Sequence, residues 1–241
     1  MEGENNIPTT QTPANTWALP FAIIVAGLAI AAAVYFGDGK QGIATASQDE
    51  QNKAIDIDPV TATDHIVGNL NAKIVIVEYS DTECPYCKVF HETMNRIMSE
   101  YSSGGKVAWV YRHFPIASNH AKAQKESEAT ECANKLGGNT KFWEYLNRMM
   151  EITPANDGLD VAELPKIAAT VGLDVAAFNE CLSSGEMKSV VDAQAASGAK
   201  AGVNGTPHSI VLVDGKVAGT IGGAQQYEIV KASIEKTLQS K

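Results

Sequence analysis

The stretch that decides the fold of this chain is Ile74-Val75-Ile76-Val77-Glu78-Tyr79-Ser80-Asp81-Thr82-Glu83-Cys84-Pro85-Tyr86-Cys87. An apolar run of β type leads through a short polar loop into two cysteines with C-x-x-C spacing. From Pro85 onward the apolar residues recur with helical spacing and are expected on one broad face: Tyr86, Val89, Phe90, Met94, Ile97, Met98 and Tyr101. The sequence therefore predicts a strand, a turn and a helix that begins at the cysteine pair.

This placement of the cysteine pair predicts a reactive sulfur. Cys84 is expected at the N-terminus of the helix, where unpaired backbone N–H groups and the positive end of the helix dipole stabilise a thiolate. The pKa of cysteines in such environments is roughly 3.5–7.5, and the thiolate is the form that attacks disulfides. We therefore interpret Cys84 and Cys87 as a redox centre.

Length and charge limit the classes of protein to which the chain can belong. Its 241 residues allow one sizeable domain with a tail, or two small domains. The net charge of −9 and the absence of a lysine or arginine cluster exclude nucleic acid as the expected partner, because a phosphate backbone requires a basic surface.

The cysteine count favours two disulfides. Four cysteines permit three pairings. The adjacency of Cys84 and Cys87 leaves Cys132 and Cys181 to form a second, structural bridge. In the alternative interpretation, Cys132 and Cys181 are small buried apolar residues. An oxidising compartment, which the N-terminal sequence suggests independently, favours the bridge.

The N-terminal region predicts a membrane anchor. A polar tail over 1–16 precedes an uncharged apolar segment over 17–36. At ~1.5 Å per residue, a helix of this length spans the ~30 Å hydrocarbon core of a bilayer. A cleavable signal peptide is the alternative and fits less well, since no basic residue precedes the segment. Residues 37–56 read as a flexible linker.

The expected location is the cell membrane, with a single span and the catalytic domain outside the cytoplasm. The positive-inside rule has only Lys40 to act on, and that residue weakly favours the opposite orientation. The cysteine content outweighs it in our interpretation, and the conflict stays open.

Residues 57–241 are predicted to form one α/β domain with an all-helical insertion at about 117–201. Its other predicted elements are an edge strand over 61–67, a strand over 106–112, a hairpin with strands over 209–213 and 216–221, and a closing helix over 225–238. The strand, helix and strand before the insertion form a βαβ unit, which implies parallel strands.

Several motifs carry a resemblance to a known family: the C-x-x-C stretch, Trp109-Val110-Tyr111-Arg112-His113-Phe114-Pro115, Glu131-Cys132-Ala133 and Val203-Asn204-Gly205-Thr206-Pro207. Together they resemble the DsbA family of thioredoxin-fold thiol-disulfide oxidoreductases, and within it the membrane-anchored bacterial members akin to BdbD. The resemblance covers roughly residues 58–238. It implies a thioredoxin fold with a helical insertion, in agreement with the predicted order of elements.

The resemblance also implies roles for individual residues. Cys84 corresponds to the exposed nucleophilic cysteine and Cys87 to the buried resolving cysteine. Pro207 corresponds to the family's cis-proline, with Thr206 as the neighbour whose backbone pairs with substrate. Glu78 lies where the family places a buried acid that relays a proton to or from the second cysteine. In the alternative, the side chain of Glu78 faces solvent.

Redox tuning is expected from the residues around the pair. The dipeptide Pro85-Tyr86 differs from the Pro-His of the best-known relatives and removes an imidazole beside the thiolate. His208 as a cation would stabilise the thiolate; in the alternative it points away from Cys84. The other histidines of this region are assigned to the helix surface or to structural roles: His91, His113 and His120.

The resemblance implies an enzyme that introduces disulfides into exported proteins. It also implies reoxidation by a quinone-linked membrane protein of the DsbB or vitamin K epoxide reductase type, with no cofactor. The nearest alternative is a disulfide reductase or isomerase on the same fold, and a less favoured one is a thiol metallochaperone or binding module. No metal is expected at Cys84 and Cys87, because a closed zinc site requires four ligands and no second pair has suitable spacing.

Overall fold

The computed structural model describes residues 55–239. The predicted polar tail, the predicted membrane anchor over 17–36 and most of the predicted linker lie outside these residues. Within 55–239, no helix combines the length and the apolar character needed to cross a bilayer.

The described domain is built on one mixed five-stranded sheet in the order β1-β3-β2-β4-β5. Its strands are β1 (His65–Val67), β2 (Ile74–Ser80), β3 (Val107–His113), β4 (His208–Val213) and β5 (Lys216–Gly222). β2 and β3 are parallel, as the predicted βαβ unit requires, and the other neighbours are antiparallel. The predicted edge strand is confirmed at its C-terminal end only.

Six α-helices accompany this sheet within the described residues: α1 (Pro85–Tyr101), α2 (Ala123–Ile152), α3 (Leu164–Thr170), α4 (Val175–Ser184), α5 (Lys188–Lys200) and α6 (Tyr227–Gln239). α2 to α5 form the predicted helical insertion between β3 and β4. Helical periodicity in the sequence predicts two separate helices, over 121–136 and 141–152, where α2 lies. The backbone of α2 is indeed interrupted at Gly138, whose φ of 70° belongs to the left-handed region that glycine adopts without a Cβ clash.

The active-site helix packs on the sheet through a set of residues that differs in part from the predicted face. Every residue of β2 is buried, and Phe90, Met94 and Ile97 cover it from α1. Tyr86 and Val89 are 67% and 55% exposed, so their assignment to the buried face is wrong. Tyr86 and Val89 each precede a buried residue of α1, Cys87 and Phe90. Consecutive residues of a helix are rotated by about 100°, so both side chains face solvent.

The insertion has an apolar core of its own, closed by a disulfide. Cys132 on α2 and Cys181 on α4 are bonded across a sequence separation of 49 residues, which confirms the predicted bridge. Tyr145 and Phe178 stack within the same cluster. The bridge therefore ties together two helices that already share buried surface.

Candidate active site

Cys84 is the N-cap residue of α1, with extended backbone angles (φ −77°, ψ 120°), and Pro85 follows in the first turn. Proline suits this position because its missing N–H would have no partner there. Cys84 is 5% exposed, less than the exposed nucleophile that the resemblance implies. Its Sγ donates a hydrogen bond to the carbonyl of Thr206 at 3.4 Å, because the loop before β4 lies directly against it.

The surroundings of Cys84 favour the thiolate. A hydrogen bond from the Cys87 thiol, together with the backbone N–H groups of Cys87 and Tyr86 and the neighbouring Thr206, lowers the pKa of Cys84 from 9.0 to about 6. Both cysteines of the pair are thiols in this structure. At neutral pH the sulfur of Cys84 is therefore mostly ionised, as its position at the start of the helix predicts.

Cys87 has the opposite character. It is fully buried, and burial, followed by the neighbouring Cys84 and Glu78, raises its pKa well above 9.0. The backbone N–H of Asp81 donates to its Sγ at 3.4 Å. The two sulfurs thus differ sharply: one is an ionised nucleophile and the other a protonated thiol one turn further along the helix.

Glu78 lies on β2 with its carboxyl group in the protein interior, so the solvent-facing alternative is wrong. Trp109 Nε1 donates to its Oε2 at 2.9 Å. Burial raises the pKa of Glu78 to about 7, and the charge of Glu78 is among the causes that raise the pKa of Cys87. A carboxyl group with a pKa near neutral pH is therefore close enough for its charge to act on the resolving sulfur.

The peptide bond between Thr206 and Pro207 is cis, as the resemblance implies. The pairing of Tyr79 with His208 aligns the start of β4 with the end of β2. Because the C-x-x-C turn follows the end of β2, the loop that carries Thr206 reaches the sulfurs. The sheet register thus brings together two segments that are far apart in the chain.

His208 does not provide the expected cation. Burial lowers the pKa of His208 below 6.5, so its imidazole is neutral near pH 7. The position after the proline begins a strand of the sheet, and desolvation there opposes protonation.

His91 is not a surface residue. It is 3% exposed and packs against Trp109 and Trp143, and its Nε2 lies 2.7 Å from Asn147 Oδ1. Burial lowers the pKa of His91 to about 4. The buried stripe of α1 is shifted toward His91 relative to the predicted face, because α2 covers this side of the helix.

One buried group has the composition of a metal site. Ligand atoms of His65, His113 and Glu131 all lie within 4.8 Å of one another, and two histidines with a carboxylate can bind zinc. Glu131 Oε1, however, lies 2.8 Å from His65 Nε2 and 3.3 Å from His113 Nε2. Despite burial, the hydrogen bonds from His113 and His65 lower the pKa of Glu131 to about 2. We therefore interpret this group as an ionic hydrogen-bond network that joins β1 and β3 to α2.

Two further buried acids, Glu83 and Glu126, lie at the active-site turn and have no signal in the sequence. Glu83, immediately before Cys84, is fully buried and accepts hydrogen bonds from the backbone N–H groups of Gly158 (3.1 Å) and Leu159 (3.2 Å). Glu126 on α2 lies beside it, and burial together with Glu83 raises the pKa of Glu126 to about 9. Glu126 is thus protonated at neutral pH. Helical periodicity gives no signal for this contact, since it depends on how the insertion packs against the turn.

His120, assigned to a structural role, also lies at the active-site turn. Its Nδ1 is 2.9 Å from Asp81 Oδ2. Although burial opposes it, the hydrogen bond to Asp81 raises the pKa of His120, and the charge of Cys84 contributes. The only sequence signal for this contact is an aspartate close to the cysteine pair, and that signal does not identify its partner.

Fold and site together define a thioredoxin-like protein with a C-x-x-C centre. The chain belongs to the thioredoxin family, whose family model matches residues 60–236. It is similar in structure to BdbD of Bacillus subtilis, with 23% identity, a TM-score of 0.66, and coverage of 78% of this chain and 100% of that one. It is also similar to the thiol-disulfide exchange protein alpha-DsbA2 of Wolbachia pipientis, with 18% identity, a TM-score of 0.61, and coverage of 73% and 87%.

Sequence relatives include a Na(+)/H(+) antiporter NhaA 3 of Salinispora tropica, 34% identical over 60% of this chain and 21% of the antiporter. The chain therefore spans about a fifth of the length of the antiporter relatives it matches.

Proposed function

We propose that this protein is an extracytoplasmic thiol-disulfide oxidoreductase that introduces disulfides into exported proteins. The observation that carries the proposal is the contrast between the two sulfurs, an ionised Cys84 at the start of α1 and a protonated, buried Cys87. A stable Cys84 thiolate stabilises the reduced enzyme, which makes the disulfide a stronger oxidant.

The proposed reaction is dithiol-disulfide exchange. A substrate thiolate attacks Cys84 Sγ of the oxidised enzyme, the bond between Cys84 and Cys87 breaks, and Cys87 leaves with the electron pair and takes up a proton. A second substrate thiolate then attacks the substrate sulfur of the mixed disulfide and releases the Cys84 thiolate. The substrate thiols lose two electrons and two protons and gain a disulfide. The enzyme takes up the two electrons and one proton, as a Cys84 thiolate and a Cys87 thiol, and the other proton goes to solvent.

Glu78 is the proposed proton donor for Cys87. Its pKa of about 7 means that it holds a proton below neutral pH and loses it above. In the oxidising direction the protonated form is the active one, so its contribution is largest below pH 7 and fades as the pH rises through 7. In the reverse direction the ionised form would accept the proton of Cys87.

Replacing Glu78 with glutamine is expected to slow the first exchange step about 10²-fold at pH 6, a typical contribution of a positioned acid, with a smaller effect at pH 8. Rapid acid quenching, alkylation and mass spectrometry of the mixed disulfide measure this rate. Glu126→Gln is the matched control, since it changes a second buried, protonated glutamate and is expected to leave the rate ratio near one. If the ratio of the wild-type rate to the Glu78→Gln rate were the same at pH 6 and pH 8, Glu78 would not be the proton donor.

The proposed location rests on the cysteines and on the N-terminal sequence. A structural disulfide between Cys132 and Cys181 suits an oxidising compartment. The apolar segment over 17–36 is long enough to anchor the domain to the membrane. We propose a single-span protein with its catalytic domain outside the cytoplasm and cysteine-containing exported proteins as substrates. By the family resemblance, a quinone-linked membrane protein of the DsbB or vitamin K epoxide reductase type reoxidises it.

The redox potential separates an oxidase from a reductase or isomerase on the same fold. We expect residues 55–241, equilibrated with mixtures of reduced and oxidised glutathione, to have a potential well above the −270 mV of a reducing thioredoxin. Alkylation and mass spectrometry give the oxidised fraction at each ratio. A value near or below that of thioredoxin would overturn the oxidase assignment and favour the reductase.

A further inference from the structure

Asp81 is a fully buried carboxylate in the turn between β2 and α1. Its Oδ1 accepts a hydrogen bond from the backbone N–H of Glu83 at 2.9 Å. Its Oδ2 accepts one from the backbone N–H of Ile116 at 2.7 Å and lies 2.9 Å from His120 Nδ1. His120 comes from the loop that precedes α2, and its side chain is 10% exposed. The pair is therefore largely shielded from water.

The same turn holds both redox sulfurs. The backbone N–H of Cys84 donates to the carbonyl of Asp81 at 3.2 Å, and the N–H of Asp81 donates to Cys87 Sγ at 3.4 Å. A buried anion built into this turn opposes the ionisation of Cys84, because like charges disfavour each other strongly where water is excluded. The turn therefore needs a compensating positive charge if Cys84 is to be a thiolate.

We propose that His120, protonated and paired with Asp81, is the positioning residue that neutralises the turn and allows Cys84 to ionise. It supplies the positive charge that the Pro85-Tyr86 dipeptide lacks, from a different part of the chain. The inference deepens the proposed function and rests on it, since it concerns the stability of the Cys84 thiolate that the proposed exchange releases.

The charges around His120 favour the cation. The hydrogen bond and charge of Asp81, the charge of Cys84 and the charge of Asp157 all act to hold its proton. Asp157 accepts hydrogen bonds from the backbone N–H groups of Ala121 (3.0 Å) and Lys122 (2.9 Å), the two residues after His120. Glu83, the second buried acid of the turn, accepts hydrogen bonds from the backbone N–H groups of Gly158 and Leu159, and the protonated Glu126 beside it adds no charge.

Replacing His120 with asparagine tests the inference. The asparagine Nδ2 can occupy the position of the imidazole Nδ1 and keep the hydrogen bond to Asp81, while the positive charge is lost. We expect the pKa of Cys84 to rise by about one unit, measured by thiolate absorbance at 240 nm during a pH titration of the reduced protein. The equilibrium constant with glutathione at pH 7 should shift about fivefold toward the oxidised enzyme, which makes the variant a weaker oxidant.

His91→Gln is the matched control. It removes another buried histidine, from the helix that carries the cysteines, but one that burial keeps neutral. It is expected to leave the pKa of Cys84 unchanged. An equal rise in both variants would mean that loosened packing is the cause, and would overturn the inference.

A double variant tests whether His120 acts on Cys84 by neutralising the charge of Asp81 or acts on the sulfur directly. In Asp81→Asn/His120→Asn both charges are gone, so the pKa of Cys84 should return close to the wild-type value. A pKa that stays raised, or one that is unchanged in His120→Asn alone, contradicts the inference.

NMR titration of His120 gives a second measurement that does not depend on the folding of the Asp81 variant. Because coupling is reciprocal, the pKa of His120 should be lower in Cys84→Ala than in the reduced wild type. An identical pKa in the two proteins overturns the inference. The proposed function fails separately, if wild-type Cys84 itself stays protonated at neutral pH.

Discussion

Replacing Cys84 with serine is expected to reduce thiol oxidation more than about 10³-fold, to the uncatalysed background, because the nucleophile is lost while the fold is kept. Serine has nearly the same size, and its hydroxyl can still donate to the Thr206 carbonyl that receives the Cys84 thiol at 3.4 Å. Oxidation of a dithiol peptide followed by fluorescence measures the rate. Activity that survives in Cys84→Ser would show that the nucleophile is another residue.

Cys87→Ala provides the complementary experiment. Cys84 remains in its thiolate-stabilising position and can attack a disulfide of a substrate protein; that bond breaks and a mixed disulfide with Cys84 forms, but no Cys87 thiol is present to resolve it. We expect covalent complexes to accumulate on non-reducing gels and to disappear with reductant. Cys84→Ser under the same conditions is the control that should form none. A variant of Cys87 without complexes would contradict the assignment of the two roles.

Removing the disulfide between Cys132 and Cys181 is expected to lower the free energy of unfolding by roughly 2–4 kcal/mol. The bridge closes a loop with a sequence separation of 49 residues, and releasing it increases the entropy of the unfolded chain. Both cysteines are buried in the insertion cluster, so the Cys132→Ala/Cys181→Ala variant loses little surface by the substitution itself. Urea unfolding followed by circular dichroism measures the change.

Reductant provides a control for this disulfide that needs no change at Cys132 or Cys181. In a Cys84→Ala/Cys87→Ala background the structural bridge is the only remaining disulfide, so added dithiothreitol should cause the same loss of stability as the double alanine substitution. Thiol oxidation by Cys132→Ala/Cys181→Ala should stay close to wild type, because the redox pair is untouched. Free thiols at both positions in the untreated protein would remove the structural role.

Local patterns in the sequence were sufficient for the architecture. The β run over 74–79, the helix that starts at Pro85 and the hairpin at Asp214-Gly215 have short-range signals, and each lies close to where it was expected. The C-x-x-C pair was found for the same reason, since its chemistry depends on a helix N-terminus encoded next to it. The motif before Pro207 indicated the cis bond through a resemblance, and the sheet register then placed it beside the sulfur.

Burial and charge pairing followed no local pattern. His91 was expected at the surface, but α2 covers it. His208 was a candidate cation beside Cys84, with the alternative that it points away, and burial keeps its imidazole neutral. His120 and Asp81 are 39 residues apart in the chain, and no local sequence pattern predicts that they form a hydrogen bond.

The sequence by itself determined the order of strands and helices and the identity of the redox pair, because hydrophobic periodicity and motif spacing act over a few residues. Only the tertiary structure decided which side chains lose contact with water, and which carboxylates and imidazoles meet there. Protonation depends on desolvation and on charges a few ångströms away, and those distances are set by packing between segments remote in the chain.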